Sequence, residues 1–192
     1  MKVALYFGSF NPLHKGHTAI ISYLLDNSDV DAVRLVISPH SPFKEGQYDN
    51  PNGLTDEEFI EYQANARLIA LREAIERSGL NIQVSDIEYH LPKPLYTIKT
   101  LRIIREQEVD NEHILIMGAD NFNEIERWYK WQELLSEFEV WVYPREGYDN
   151  IKEKCENYSS TQFGYRVKYL DAPLYNISST EIRNGNSLDQ KV

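Results

Sequence analysis

The sequence predicts an α/β fold built on a mostly parallel sheet with helices on both faces. Two observations predict it. Short apolar runs rich in Val, Ile and Leu read as buried strands, and stretches with apolar residues at helical spacing lie between them. Strands that alternate with crossover helices fall into a parallel sheet.

Val3 to Phe7 form an apolar and aromatic run that stops at Gly8, the pattern of a buried strand running into a loop. A helix is expected from Gly16 towards Leu25. Val33 to Ile37 is the second strand, broken by Pro39, and His40 to Gly53 is too rich in Pro, Gly, Ser and Asn for an element. It reads as a long loop, a class of segment that is often functional. Thr55 and Glu58 have capping-box spacing, and Ile60, Ala64, Leu68, Leu71 and Ile75 then recur at helical spacing until Gly79 stops the helix. Ile82 to Ile87 reads as a strand, Thr97 to Gln107 as a helix, and His113 to Met117 as a strand ending at Gly118. Tyr129 to Phe138 reads as a helix, Val140 to Tyr143 as a strand closed by Pro144, and Val167 to Leu170 as a late strand. Neither a repeat nor a linker divides the chain, so residues 1–192 are expected to form one domain.

Hydrophobic residues make up 42% of the chain and charged residues 26%, the balance of a folded soluble protein. No apolar run approaches the roughly 20 residues that span a bilayer. The start, MKVALYFGSF, gives way to Asn11, Pro12, His14 and Lys15 rather than to a cleavable signal, so a cytoplasmic protein without membrane contact is expected. Cys155 is the only cysteine, which excludes an intramolecular disulfide and a thiolate cluster for zinc. A net charge of -10 argues against broad nucleic-acid binding, so any anionic ligand is expected in a small local site. A homo-oligomer is compatible with the sequence.

Two segments carry the chemistry. The first is Gly8-Ser9-Phe10-Asn11-Pro12-Leu13-His14-Lys15-Gly16-His17, where the first strand should turn into the first helix. In an open α/β sheet ligands bind at the carboxyl ends of strands, where a helix N-terminus offers N–H groups and a positive dipole to phosphate. Gly8 and Gly16 let the backbone come close. If Gly16 begins the helix, His14 and His17 can face one anion and donate hydrogen bonds to a phosphate under attack. A bare H-x-x-H pair could equally be two surface residues or part of a metal site, although no Cys or carboxylate sits at ligand spacing beside it.

The second segment is Ile177-Ser178-Ser179-Thr180-Glu181-Ile182-Arg183. Ser178 and Glu181 fit a capping box, which could be only a well-started helix. A helix start with three hydroxyls is also an anion site, and Arg183, one turn after Ser179, reaches the same face with a fork of donors suited to phosphate.

The G-x-F-x-P-x-H-x-G-H and I-S-S-T-x-I-R stretches resemble the signatures of the nucleotidyltransferase superfamily of adenylyl- and cytidylyltransferases. The resemblance is closest to the bacterial nicotinate mononucleotide adenylyltransferase family and covers nearly the whole chain. It implies a Rossmann-like, doubly wound fold and the reaction of ATP with nicotinate mononucleotide to give deamido-NAD and pyrophosphate. Tyr96-Thr97-Ile98-Lys99-Thr100-Leu101, Met117-Gly118-Ala119-Asp120 and Trp128-Tyr129 match the family pattern in order and spacing.

By that resemblance Gly8, Ser9, Phe10, Gly16, Gly118, Asp120, Ile177, Ser178 and Ser179 would bind ATP, with Asp120 accepting from a ribose. Trp128 would stack on the pyridine ring, and the backbone near Thr97 and Tyr129 would receive the nicotinate carboxylate. Read alone, Trp128 could be core and Asp120 a helix cap. Lys44, otherwise a solvated charge, would approach the phosphates, and Arg145 is a candidate for the mononucleotide phosphate. The chain departs from the family pattern at Phe7, Asn11 and Leu95, and Ser41-Pro42-Phe43-Lys44 stands where Pro-Pro-His-Lys is usual.

The expected mechanism is in-line attack of the mononucleotide phosphate on the α-phosphorus of ATP, catalysed by positioning and charge stabilisation. His14, His17, Lys44 and Arg183 would supply the positive field, with Mg²⁺ held mostly by ATP phosphates and water and no protein metal site.

Overall fold

The computed structural model describes residues 1–39, 55–160 and 162–174. The loop expected over His40 to Gly53, with Lys44, lies outside them, as does Ile177 to Arg183. The elements run β1 (Lys2–Gly8), α1 (Lys15–Asn27), β2 (Ala32–Ile37), α2 (Asp56–Ser78), β3 (Ile82–Ser85), α3 (Thr97–Gln107), β4 (Glu112–Gly118), α4 (Ala119–Asn123), α5 (Trp131–Glu137), β5 (Glu139–Tyr143), α6 (Ile151–Ser159) and β6 (Val167–Tyr169).

Among the described residues the strands form one sheet in the order β3-β2-β1-β4-β5-β6, and each neighbouring pair is parallel. This is the Rossmann-like, doubly wound order: the chain steps outwards from β1 through β2 to β3, then returns to β4 on the other side of β1. The two directions part between β1 and β4, which opens a crevice at their carboxyl ends. The register places Tyr6 of β1 opposite Ile116 of β4, and Gly118 of β4 opposite Tyr143 of β5.

Strand side chains alternate between two cores, as period-two geometry requires. Ala4 and Tyr6 join Ile20, Ile21 and Leu24 of α1 and Leu71 and Ile75 of α2 in one. Val3 and Leu5 join Ile98, Leu101 and Ile104 of α3, Phe122 of α4, Leu134 and Leu135 of α5 and Cys155 of α6 in the other. Each fully buried Leu or Ile in these layers contributes about 1.5–3 kcal/mol. The rigid sheet holds the crevice between them. Burial pushes the Cys155 thiol up to about 12, so it remains an unreactive core residue.

Several boundaries differ from the sequence expectation. β3 stops at Ser85 because Ile87 already begins a 3-10 turn, Ile87–His90. The expected helix from Tyr129 begins at Trp131, because Lys130 takes a left-handed conformation, φ 53, that no helix can pass through. α4 follows β4 with no intervening loop and is only five residues long, too short for a periodic pattern. α6 does carry one, in buried Ile151, Cys155 and Tyr158, set among charged neighbours.

Candidate active site

β1 ends at Gly8, whose carbonyl accepts a 3.0 Å hydrogen bond from the Ser38 N–H just after β2. Phe10 turns the chain back with φ 42, a left-handed value uncommon for an aromatic residue, and its ring lies over the glycine. A Cβ on Gly8 would come within 3.1 Å of that ring, which is why the strand ends without a side chain. His14 then caps α1, its carbonyl accepting from the N–H groups of His17 and Thr18 at 2.8 and 3.2 Å. No acidic residue occupies the first turn of α1, so no side chain of the helix itself offsets the positive end of its dipole at the crevice.

His14 and His17 are both buried, and their rings stack with centroids 3.7 Å apart and planes 28° from parallel. The His14 N–H donates to Nδ1 of His17 at 3.3 Å. Burial first, then the neighbouring His14 and Arg145, hold His17 well below the ordinary imidazole value, so the ring is neutral at pH 7. With Nδ1 accepting, the single proton sits on Nε2, and His17 offers one N–H donor of fixed direction. Tyr6 and Phe10 press ring edges on His17 at centroid distances of 5.9 and 5.1 Å and fix its plane.

Across the crevice, Gly118 ends β4 and Asp120 stands in the first turn of α4. A Cβ on Gly118 would lie 2.2 Å from Asp120 Oδ1 and 3.1 Å from Tyr143 Oη, so the glycine makes room for both side chains. Arg145, just beyond β5, brings Nε to 3.8 Å from Asp120 Oδ1. Its guanidinium lies over the Tyr143 ring at 5.0 Å, and Nη2 donates to Tyr143 Oη at 3.0 Å. Tyr143 and Tyr6 share a buried 2.7 Å hydrogen bond between their hydroxyls.

A second cluster surrounds the start of α3. Tyr96 stacks on Tyr129 at 4.2 Å, and Lys99 Nζ sits 5.2 and 5.7 Å from the two ring centres. Thr97 opens the helix beside this pair, and Trp128 is half-buried against the second core. Behind them Glu88 is buried and accepts hydrogen bonds from Ser38 Oγ at 2.7 Å and Thr100 Oγ1 at 2.9 Å. Burial is the main reason its pKa lies above the ordinary glutamate value.

The structure thus gathers Gly8, Ser9, Phe10, His14, Gly16, His17, Gly118, Asp120 and Arg145 at the carboxyl ends of β1, β4 and β5, and it places Thr97 and Tyr129 in the aromatic cluster. Lys44, Ile177, Ser178, Ser179 and Arg183 lie outside the described residues. The Tyr6–Tyr143 pair and Glu88 were not expected. The tyrosines sit in apolar strand runs that signal only burial, and Glu88 comes just after Ile87, the last residue of an expected strand, where no element was expected. Among the described residues no three His, Cys, Asp or Glu side chains cluster so as to hold a metal ion, and no helix is long and apolar enough to cross a membrane.

A family model described as cytidylyltransferase-like matches residues 5–185. A protein of Flavobacterium psychrophilum named "Probable nicotinate-nucleotide adenylyltransferase" is 36% identical over 183 residues, covering 95% of this chain and 85% of the relative. A Bacteroides fragilis protein of the same name is 36% identical over 182 residues, covering 95% of this chain and 80% of its own. Among solved structures, the Plasmodium falciparum nicotinic acid mononucleotide adenylyltransferase complexed with NaAD superposes with a TM-score of 0.61 at 19% identity, covering 95% of this chain and 82% of that one, a likeness of fold. With the matched span reaching from β1 past β6 and relatives above a third identical along nearly its whole length, the chain belongs to the cytidylyltransferase-like family.

Proposed function

We propose that this chain transfers the AMP part of ATP to nicotinate mononucleotide, giving nicotinate adenine dinucleotide (deamido-NAD) and pyrophosphate, a step of NAD biosynthesis. The observation that carries the reading is the stacked His14–His17 pair at the N-terminus of α1, in the crevice where β1 and β4 part. The names of the curated relatives support the choice of substrates.

An oxygen of the mononucleotide phosphate attacks the α-phosphorus of ATP. As that P–O bond forms, the bond from the α-phosphorus to the bridging oxygen breaks, and pyrophosphate leaves with the electron pair. The attacking phosphate is already ionised near pH 7, so no general base is needed. Catalysis lies in holding the two phosphates in line and in stabilising the transferred group's charge. His17 Nε2–H, His14 and the first turn of α1 meet that group. Lys44 and Arg183 add positive charge, and Gly8, Ser9, Phe10, Gly16, Gly118, Ile177, Ser178 and Ser179 form the ATP site. Asp120 accepts from a ribose hydroxyl, and Arg145 binds the mononucleotide phosphate. Thr97, Trp128 and Tyr129 receive the nicotinate ring, an aromatic setting suited to a flat heterocycle.

A Mg²⁺ carried mostly by ATP oxygens and water would suit the reaction, since Mg²⁺ usually keeps several waters and is bound largely through substrate phosphates. Such an ion would neutralise phosphate charge. The reading also takes residues 1–192 as one domain acting in the cytoplasm.

The test is pyrophosphate release from ATP and Mg²⁺ with nicotinate mononucleotide, nicotinamide mononucleotide or phosphopantetheine offered separately. Fast release is expected with the nicotinate compound. Faster release with either other acceptor would keep the chemistry and overturn the substrate.

A further inference from the structure

We propose that Tyr143, backed by Tyr6, is a positioning residue that sets the Arg145 guanidinium at the crevice. The grip is double: the Tyr143 ring lies under the guanidinium at 5.0 Å, and its hydroxyl accepts from Nη2 at 3.0 Å. Tyr143 Oη also shares a 2.7 Å hydrogen bond with Tyr6 Oη, so one hydrogen-bonded chain links Arg145 through Tyr143 to Tyr6. Tyr6 in turn lies edge-on to His17. One buried network therefore joins Arg145, from the loop after β5, to the histidine at the start of α1.

Packing alone does not account for these hydroxyls. Two phenylalanines would fill nearly the same space, while a buried hydroxyl costs free energy unless it is paired. Tyr6 sits on β1 and Tyr143 on β5, with β4 between them. They meet at the strand ends because Gly118 has no side chain, and a Cβ there would lie 3.1 Å from Tyr143 Oη. Arginine has a long stem with many rotamers, so a fixed anchor lowers the entropy lost when its fork meets an anion.

That Arg145 serves the mononucleotide phosphate rests on the function proposed above, and the test separates the two claims. Tyr143→Phe, Tyr6→Phe, Arg145→Ala and the Tyr143→Phe/Arg145→Ala double variant are compared in kcat, in KM for each substrate and in melting temperature. Arg145→Ala is expected to raise the mononucleotide KM about tenfold or more, and Tyr143→Phe to raise the same constant roughly three- to tenfold with the ATP KM unchanged, alongside a lower melting temperature because the buried Tyr6 hydroxyl loses its partner. Tyr6→Phe acts in the same direction but less, because Tyr143 still holds Arg145. The double variant is no worse than Arg145→Ala, since the anchor has nothing left to hold.

If Arg145→Ala and Tyr143→Phe instead raise the ATP KM together and without multiplying, the positioning role stands and the phosphate assignment falls. A Tyr143→Phe enzyme with unchanged constants, or one whose defect multiplies with that of Arg145→Ala, would overturn the proposal.

Discussion

The imidazoles of His14 and His17 lie face to face at 3.7 Å, and a backbone N–H from His14 fixes the tautomer of its partner. Two imidazolium ions would not hold this arrangement. His17, held neutral by burial beside His14, is a donor of fixed direction that gains strength when phosphate charge enters the site.

His17→Ala is expected to lower kcat by about a hundred- to a thousandfold, the usual cost of removing one donor from a developing negative charge. Circular dichroism should change little, while the melting temperature should fall modestly with the loss of a buried ring packed on Tyr6, Phe10 and His14. The lowered pKa also has a sign for stability. A base whose folded pKa lies below its unfolded value of 6.5 contributes stability that is present above pH 6.5 and lost as pH falls towards the folded value. Urea unfolding of the native chain should therefore weaken below pH 6.5 more steeply than that of His17→Gln.

Gly118→Ala tests the space the glycine leaves. The new Cβ falls 2.2 Å from Asp120 Oδ1, the end of a short side chain that can swing away, but also 3.1 Å from the Oη of Tyr143, which Tyr6 and Arg145 hold in place. Stability should fall by about 1–3 kcal/mol. The displaced carboxylate no longer faces the crevice or Arg145, so kcat/KM should drop tenfold or more, measured as steady-state pyrophosphate release.

Glu88 titrates in the opposite sense to His17. Its folded pKa is raised by burial, so its contribution to stability is full below the ordinary value of 4.5 and is lost as pH rises through the folded value. Glu88→Gln should flatten the decline in unfolding free energy above pH 4.5, while keeping an oxygen that accepts from one of the Ser38 and Thr100 hydroxyls and an amide N–H that can donate to the other. A native chain with the same slope as the variant would show that the carboxyl does not titrate in this way.

Much of this architecture was legible because its signals are local. Gly79 stops α2 with φ 67, and Thr97 to Gln107 is helical as the apolar spacing of Ile98, Leu101 and Ile104 requires. The crevice residues of the first segment were legible too, since one strand-to-helix turn places His14 and His17 together. What was hidden depends on partners far apart in the chain. Tyr6 and Tyr143 meet across an intervening strand, and nothing in VALYF or VWVY tells a hydroxyl seeking a partner from an ordinary core aromatic. The late start of α5 turns on Lys130, a residue with no intrinsic preference for φ 53, so only the tertiary setting of Tyr129 against Tyr96 accompanies it.

The central claim is transfer of the α-phosphoryl group, with its adenosine, to a mononucleotide phosphate. The most direct measurement follows ATP labelled at the α-phosphorus or at the γ-phosphorus, incubated with the enzyme, Mg²⁺ and nicotinate mononucleotide, and separates dinucleotide from pyrophosphate. The account predicts α-label in nicotinate adenine dinucleotide and γ-label in pyrophosphate, with neither product formed by His17→Ala at a comparable rate. Label from the γ-position in the acceptor product, or α-label released as free AMP without dinucleotide, would contradict it.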